Sequence, residues 1–164
     1  KMDYTLTEIL YQGYFTLKLA RKFTELMKRL AATNYRDAYL FLDNIGYSTR
    51  LRDFRIIDST HHYKVNSSTK KLKGKPGEAL QTVLTYMYIK KKTSEKWRPV
   101  YNQLKGLTLH NIDKKYEKKW YDMFGFLKGR SNKQLGKIMV SFKIKDAKSR
   151  DTLHKKMVKL LNKN

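Results

Sequence analysis

Apolar and polar positions alternate along most of this chain. In "GYFTLKLA", Phe15, Leu17 and Leu19 face one way and Thr16 and Lys18 the other, which predicts a half-buried strand. "FTELMKRLAA" places Phe23, Leu26, Met27 and Leu30 at helical spacing, so a short helix competes there with a long loop. "DAYLFLDNIGYSTRLRDFRII" reads as a strand, a turn at Asn44 to Gly46 and a second strand, because Asn and Gly tolerate the positive φ of tight hairpins. "HHYKVN" is a further short strand, and "SSTKKLKGKPG" a loop carrying glycines and Pro76. "QTVLTYMYIKKK" sets Val83, Thr85, Met87 and Ile89 opposite Leu84, Tyr86 and Tyr88, again as a strand. "KGLTLHNI", "KKWYDMFGFL" and "GKIMVSFKIK" complete the series, the last with Ile138, Val140, Phe142 and Ile144 on one face.

After Asp146 the period changes. Leu153, Met157, Leu160 and Leu161 form one apolar stripe with lysines around it, predicting an amphipathic helix from about Ser149 to Leu161. Short strands at near-regular spacing followed by one late helix predict an all-β antiparallel sandwich or barrel. The 164 residues fit one domain, 1–164, divided into a sheet region at 13–144 and the C-terminal helix at 146–162.

Charge narrows the choice of partners. The chain holds 37 Lys and Arg against 14 Asp and Glu, a formal net charge of +23, so its field concentrates polyanions: nucleic acid or an anionic membrane surface. Most of the cations are lysines, which suit diffuse attraction better than bidentate base reading. There is no cysteine, so disulfides and thiol catalysis are excluded, and no apolar run reaches the length of a membrane span.

Catalytic chemistry is not legible. "GFLKGR" lacks the spacing and strand-to-helix setting of a phosphate-binding loop. His61 and His62 point to opposite faces of their strand and cannot chelate one metal from there, while His110 and His154 are scattered. Asp37, Asp43, Asp53 and Asp58 fit the capping of strands and turns as well as they fit a metal. The expectation is a protein that is not an enzyme and holds no cofactor or metal.

The order of the strands resembles a C2 domain, the eight-stranded antiparallel β-sandwich of peripheral membrane proteins. "GYFTLKLARKFTEL" looks like that family's first strand, "RDAYLFL" is similar to its Asp-Pro-Tyr-Val opening with Ala38 in the proline's place, and "YSTRL" sits where the family carries a threonine-basic strand. "LKGLTLHNI" resembles the strand entered through a glycine, here Gly106, and "KKWYDMFGFLKGRSNKQLGKIMVSFKI" the closing hairpin. The resemblance implies calcium loops near residues 31–37 and 90–97. Only Asp37 remains in the first, and the second reads "KKKTSEKW", so it implies a calcium-independent member.

It also implies where an anionic lipid of the phosphoinositide or phosphatidylserine type would bind. One cluster is Lys90, Lys91, Lys92, Lys96 and Arg98 around Trp97; the other is Lys64, Lys70, Lys71, Lys73 and Lys75. Each basic residue near an anionic leaflet contributes about 1 kcal/mol. Trp97 either sits at headgroup level as an anchor or folds back on the sandwich edge. The leading expectation is a cytoplasmic, peripheral membrane module. The rivals are an RNA- or DNA-binding protein, with Tyr11, Tyr14, Tyr63 and Tyr88 available to stack on single strands or to pack in the core, and a protein-interaction domain docking through the C-terminal helix.

Overall fold

The computed structural model describes residues 2–33, 35–37, 40–57, 62–64, 71–72, 77–108, 112–143 and 149–163, with 35–37 and 62–64 described by their backbone. Most of these residues are helical. The elements are β1 (Tyr4–Thr5), α1 (Leu6–Gln12), α2 (Leu17–Ala31), β2 (Tyr35–Asp37), β3 (Ile45–Ser48), β4 (Asp53–Ile56), β5 (His62–Lys64), α3 (Glu78–Lys90), α4 (Arg98–Gly106), α5 (Lys114–Phe124), α6 (Asn132–Ser141) and α7 (Arg150–Leu161). Short 3-10 turns lie at Leu42–Asn44, Glu95–Trp97 and Gly125–Leu127. The extended segments form a three-stranded antiparallel sheet in the order β1-β3-β4 and a two-stranded pair of β2 with β5.

The eight-stranded sandwich is therefore overturned. The predicted strand "GYFTLKLA" is the approach to α2 and its first turn, with Thr16 as the N-cap. "QTVLTYMYIKKK" is α3, "KKWYDMFGFL" is α5 with its 3-10 extension, and "GKIMVSFKIK" is largely α6. The turn placed at Asn44 to Gly46 is instead a 3-10 turn running into β3; the hairpin reverses at 49–52, where Arg52 takes a φ of 53°. Of the segments that the C2 resemblance cast as calcium loops, the first runs from the last residue of α2 into β2, where Asp37 pairs with His62, and the second is the reversal between α3 and α4. The helix expected at the C-terminus is α7.

The reason lies in α3. Between Ala79 and Ile89 every residue except the partly buried Gln81 is buried, so this helix has no polar face to impose a 3.6-residue period. A continuous apolar run rich in Val, Thr, Tyr and Ile cannot be told from a buried strand by periodicity, and tertiary burial here overrides β propensity. Around α3 pack α4, α5 and α6, and α2 in turn lies on α4 and β4.

One series of edge-to-face rings crosses the core, from Trp97 through Tyr86, Phe15, Phe23 and Phe54 to Tyr47, with neighbouring centroids 5.1–6.4 Å apart. Each such pair stabilises by about 0.5–1.5 kcal/mol beyond its buried area. The buried Tyr86 hydroxyl donates to Phe15 O at 3.1 Å, so burial holds its pKa well above the usual phenol range without leaving the group unsatisfied.

Two glycines set the distance between α1 and α6. A Cβ on Gly136 would stand 1.8 Å from Leu10 O, and one on Gly13 would stand 2.8 Å from the Lys133 backbone. Gly13 also closes α1 with a φ of 82°, its N–H and that of Tyr14 donating to Leu10 O and Ile9 O, an arrangement that glycine adopts at no steric cost.

Candidate anion-binding site

α3 ends in three consecutive cations. Lys90, Lys91 and Lys92 face the helix C-terminus, whose unpaired carbonyls carry roughly half a negative charge and favour cations there. The chain then turns through Thr93 and Ser94 into the 3-10 turn Glu95–Trp97. Pro99, in the first turn of α4, suits a helix start because its missing N–H has no partner there anyway.

The answer to why a tryptophan stands in this basic run is plain in the packing. Trp97 is 5% exposed, lies edge-on to Tyr86 at 5.7 Å and carries Lys90 Nζ over its ring at 5.8 Å. It is a core residue roofed by a cation and not the loop tip that a membrane anchor requires.

Beyond the turn, α4 and α5 bring further aromatic rings to the same place. Lys91 Nζ lies 4.7 Å from the Tyr88 ring centroid and 5.3 Å from that of Tyr101; Lys92 Nζ lies 4.7 Å from Tyr88 and 5.3 Å from Tyr121. Lys128, following the last 3-10 turn, also reaches Tyr121, donating to its hydroxyl at 3.3 Å with Nζ 5.9 Å from the ring. Lys105, in the last turn of α4, sits over Tyr101 at 5.9 Å and pairs with Glu117 at 3.4 Å. The Tyr101 hydroxyl donates to the same Glu117 carboxylate; burial and that carboxylate hold its pKa far above the usual value. Four ammonium groups thus lie along three tyrosine rings, with the Glu117 carboxylate at the Lys105 and Tyr101 end.

The lysines are held together at some cost. Burial lowers the Lys91 pKa, and the charge of Lys92 lowers it further; Glu117 pulls the other way, and Arg98 and Lys105 add to the repulsion. Burial alone lowers Lys90. Helix C-termini account for cations at Lys90 to Lys92 and at Lys105, but not for Lys128. A ring beneath an ammonium is worth about 0.5–1 kcal/mol at exposed sites, which steadies each side chain without neutralising it. An arriving anion would relieve the mutual repulsion.

Of the other expected site residues, Arg98 lies close enough to Lys91 to add to the repulsion. Lys96 is exposed, and Arg98 is held by both oxygens of Glu95 at 2.9 Å. Lys71 is exposed beside Leu72, whose N–H donates to Leu107 O. Lys64 stands in β5 opposite Tyr35, and Lys70, Lys73 and Lys75 lie outside the described residues. Sequence reasoning missed Lys105, Lys128, Tyr101 and Tyr121, and named Tyr88 only for stacking or core packing. Helical spacing of Tyr116, Trp120 and Tyr121 with Glu117 in "KKYEKKWYDMF" was the available signal.

Among the described residues no group of three or more His, Cys, Asp or Glu is placed to hold a metal ion. His154, on α7, bonds Met123 O at 2.8 Å and stacks on Phe126, a contact that ties α7 to α5. No described helix is long and apolar enough to cross a membrane. No family model, curated protein or solved structure matches the chain.

Proposed function

We propose that the protein binds nucleic acid by its phosphate backbone, with Lys91, Lys92, Lys105 and Lys128 as the centre of the contact. The observation that carries this reading is the convergence of those ammonium groups over Tyr88, Tyr101 and Tyr121. Phosphate oxygens are the natural partners of such a set, because each contact releases condensed counterions and needs no base-specific geometry. The net charge of +23 supports long-range attraction of a polyanion to the same protein. A bilayer reading is favoured less. Trp97, the apolar half of that mechanism, is inside the core, and what is left is charge alone.

The test is a salt titration of binding to a fluorescent duplex, compared with sedimentation on neutral and anionic vesicles. Log affinity should fall linearly with log salt, and Lys91→Gln with Lys92→Gln should make the slope shallower by about 2. Binding to anionic vesicles without binding to nucleic acid would reverse the assignment.

A further inference from the structure

Tyr11 and Tyr14 are 41% and 57% exposed, whereas Tyr88 is buried. They flank the C-terminus of α1, and their backbone is fixed there. Gly13 holds its left-handed conformation, the Tyr14 N–H donates to Ile9 O at 2.9 Å, and Tyr14 O accepts from the Thr16 N–H at 2.9 Å. In a helix ending of this kind the residue after the glycine often folds over the last turn. Ile9 is already buried beneath, and Tyr14 points outward.

The close approach of α1 to α6 at Gly13 and Gly136 then lays this turn on Lys133 and Lys137, one helical turn apart on the same side of α6. Lys137 Nζ lies 6.0 Å from the Tyr11 centroid and donates to Lys163 O at 3.5 Å; Lys133 is exposed. The turn and the end of α3 share one core. Phe15, next in the chain, touches Tyr86, Tyr86 touches Trp97, and Lys90 covers Trp97.

We propose that Tyr11 and Tyr14, backed by Lys133 and Lys137, form a stacking platform for the bases of a single-stranded nucleic acid. This inference rests on the phosphate-binding reading above and adds a substrate class to it. A single exposed tyrosine is ordinary on a protein surface. Two exposed rings on a rigid turn with lysines beside them combine the two parts that single-strand binding uses, π faces for the bases and cations for the backbone. A duplex keeps its base faces stacked internally and offers nothing to these rings.

The experiment is anisotropy titration of an oligothymidylate of about 20 nucleotides, longer than a footprint of roughly 4–16, and of a duplex of the same length, at several salt concentrations. The wild-type chain should prefer the single strand. Tyr14→Ala should weaken single-strand binding roughly 5- to 100-fold, leave duplex binding and the salt slope unchanged, and be rescued by Tyr14→Phe. Tyr11→Ala provides a second variant, and thermal melts establish that each remains folded. Equal losses on both nucleic acids, or no loss on either, overturn the platform and leave the lysine cluster standing. Failure of the wild-type chain to bind either nucleic acid overturns both.

Discussion

Gly136→Ala is the sharpest test of how α1 and α6 meet. The added Cβ would stand 1.8 Å from Leu10 O and 2.7 Å from Leu10 C, both backbone atoms within a helix, so no side chain can swing aside. Ordinary contact requires the helices to move apart by about 1.5–2 Å, which disturbs Leu6, Ile9, Leu10, Leu135, Ile138 and Met139 together. Overpacking costs about 1–3 kcal/mol and sometimes more, and this case belongs at the upper end. The intrinsic preference of a helix for alanine returns about 1 kcal/mol, leaving a net loss of about 2 kcal/mol. In a chain of this size that lowers the melting temperature by about 4–8 °C. Gly106→Ala is the matched control: its Cβ meets nothing within 4 Å at the end of α4, so it should be neutral or stabilise by about 0.4–1 kcal/mol. Calorimetric melts of the two variants decide the matter. A Gly136→Ala protein as stable as the wild type would refute the proximity of the helices, and with it the placement of Lys133 and Lys137 beside the tyrosines.

Trp97→Ala should cost about 3–5 kcal/mol in denaturant titrations, as for other buried tryptophans, whereas a surface anchor would leave stability nearly unchanged. Asp53 should give a signature in acid. Burial raises its pKa, but the Phe54 N–H, Arg29 and Arg55 outweigh it, so the folded value lies below the ordinary 3.8 and the unfolded state takes up the proton first. Its stabilisation is present above about pH 4 and lost as pH falls through the folded value, so Asp53→Asn should flatten the acid limb of a melting-temperature profile. Lys91 titrates below the usual lysine range, so raising the pH toward about 10 should weaken nucleic-acid binding in the wild type before it does so in Lys91→Arg. Identical pH profiles for the two would remove Lys91 from the contact.

Some of the fold was legible at the level of single residues. The stripe of α7 is one case; the hairpin is only a partial one, because the single strand expected after Gly46 is the end of β3, a reversal at 49–52 and β4. Helix starts were also written in the chain: Thr5 with Glu8 and Ser131 with Gln134 are capping boxes that open α1 and α6. They were outvoted by local alternation, as in "GKIMVSFKIK", where Leu135, Ile138 and Met139 carry the buried face and Val140 and Phe142 are only partly buried. The basic cluster was half visible. Lys90, Lys91 and Lys92 stand in one run, but Lys105 and Lys128 join them only through the packing of α4 and α5 against α3, which no local pattern encodes.

The composition of α3 bears on what happens before the chain is folded. "TVLTYMYI", residues 82–89, combines high β propensity with no charge, proline or glycine, the profile of segments that stack into cross-β fibrils when exposed. As a helix surrounded on all sides it is hidden, and it stays hidden only while α4, α5 and α6 cover it. Lys90, Lys91 and Lys92 follow it directly, so an unfolded or newly made chain carries a repulsive triplet at the edge of its most aggregation-prone stretch. Gatekeeping charges of this kind keep neighbouring copies from adding strand to strand. The same three lysines that cover Trp97 and the tyrosines in the folded protein thereby protect its solubility on the way there. A variant that neutralises them to abolish binding should be watched for precipitation as well as for lost affinity.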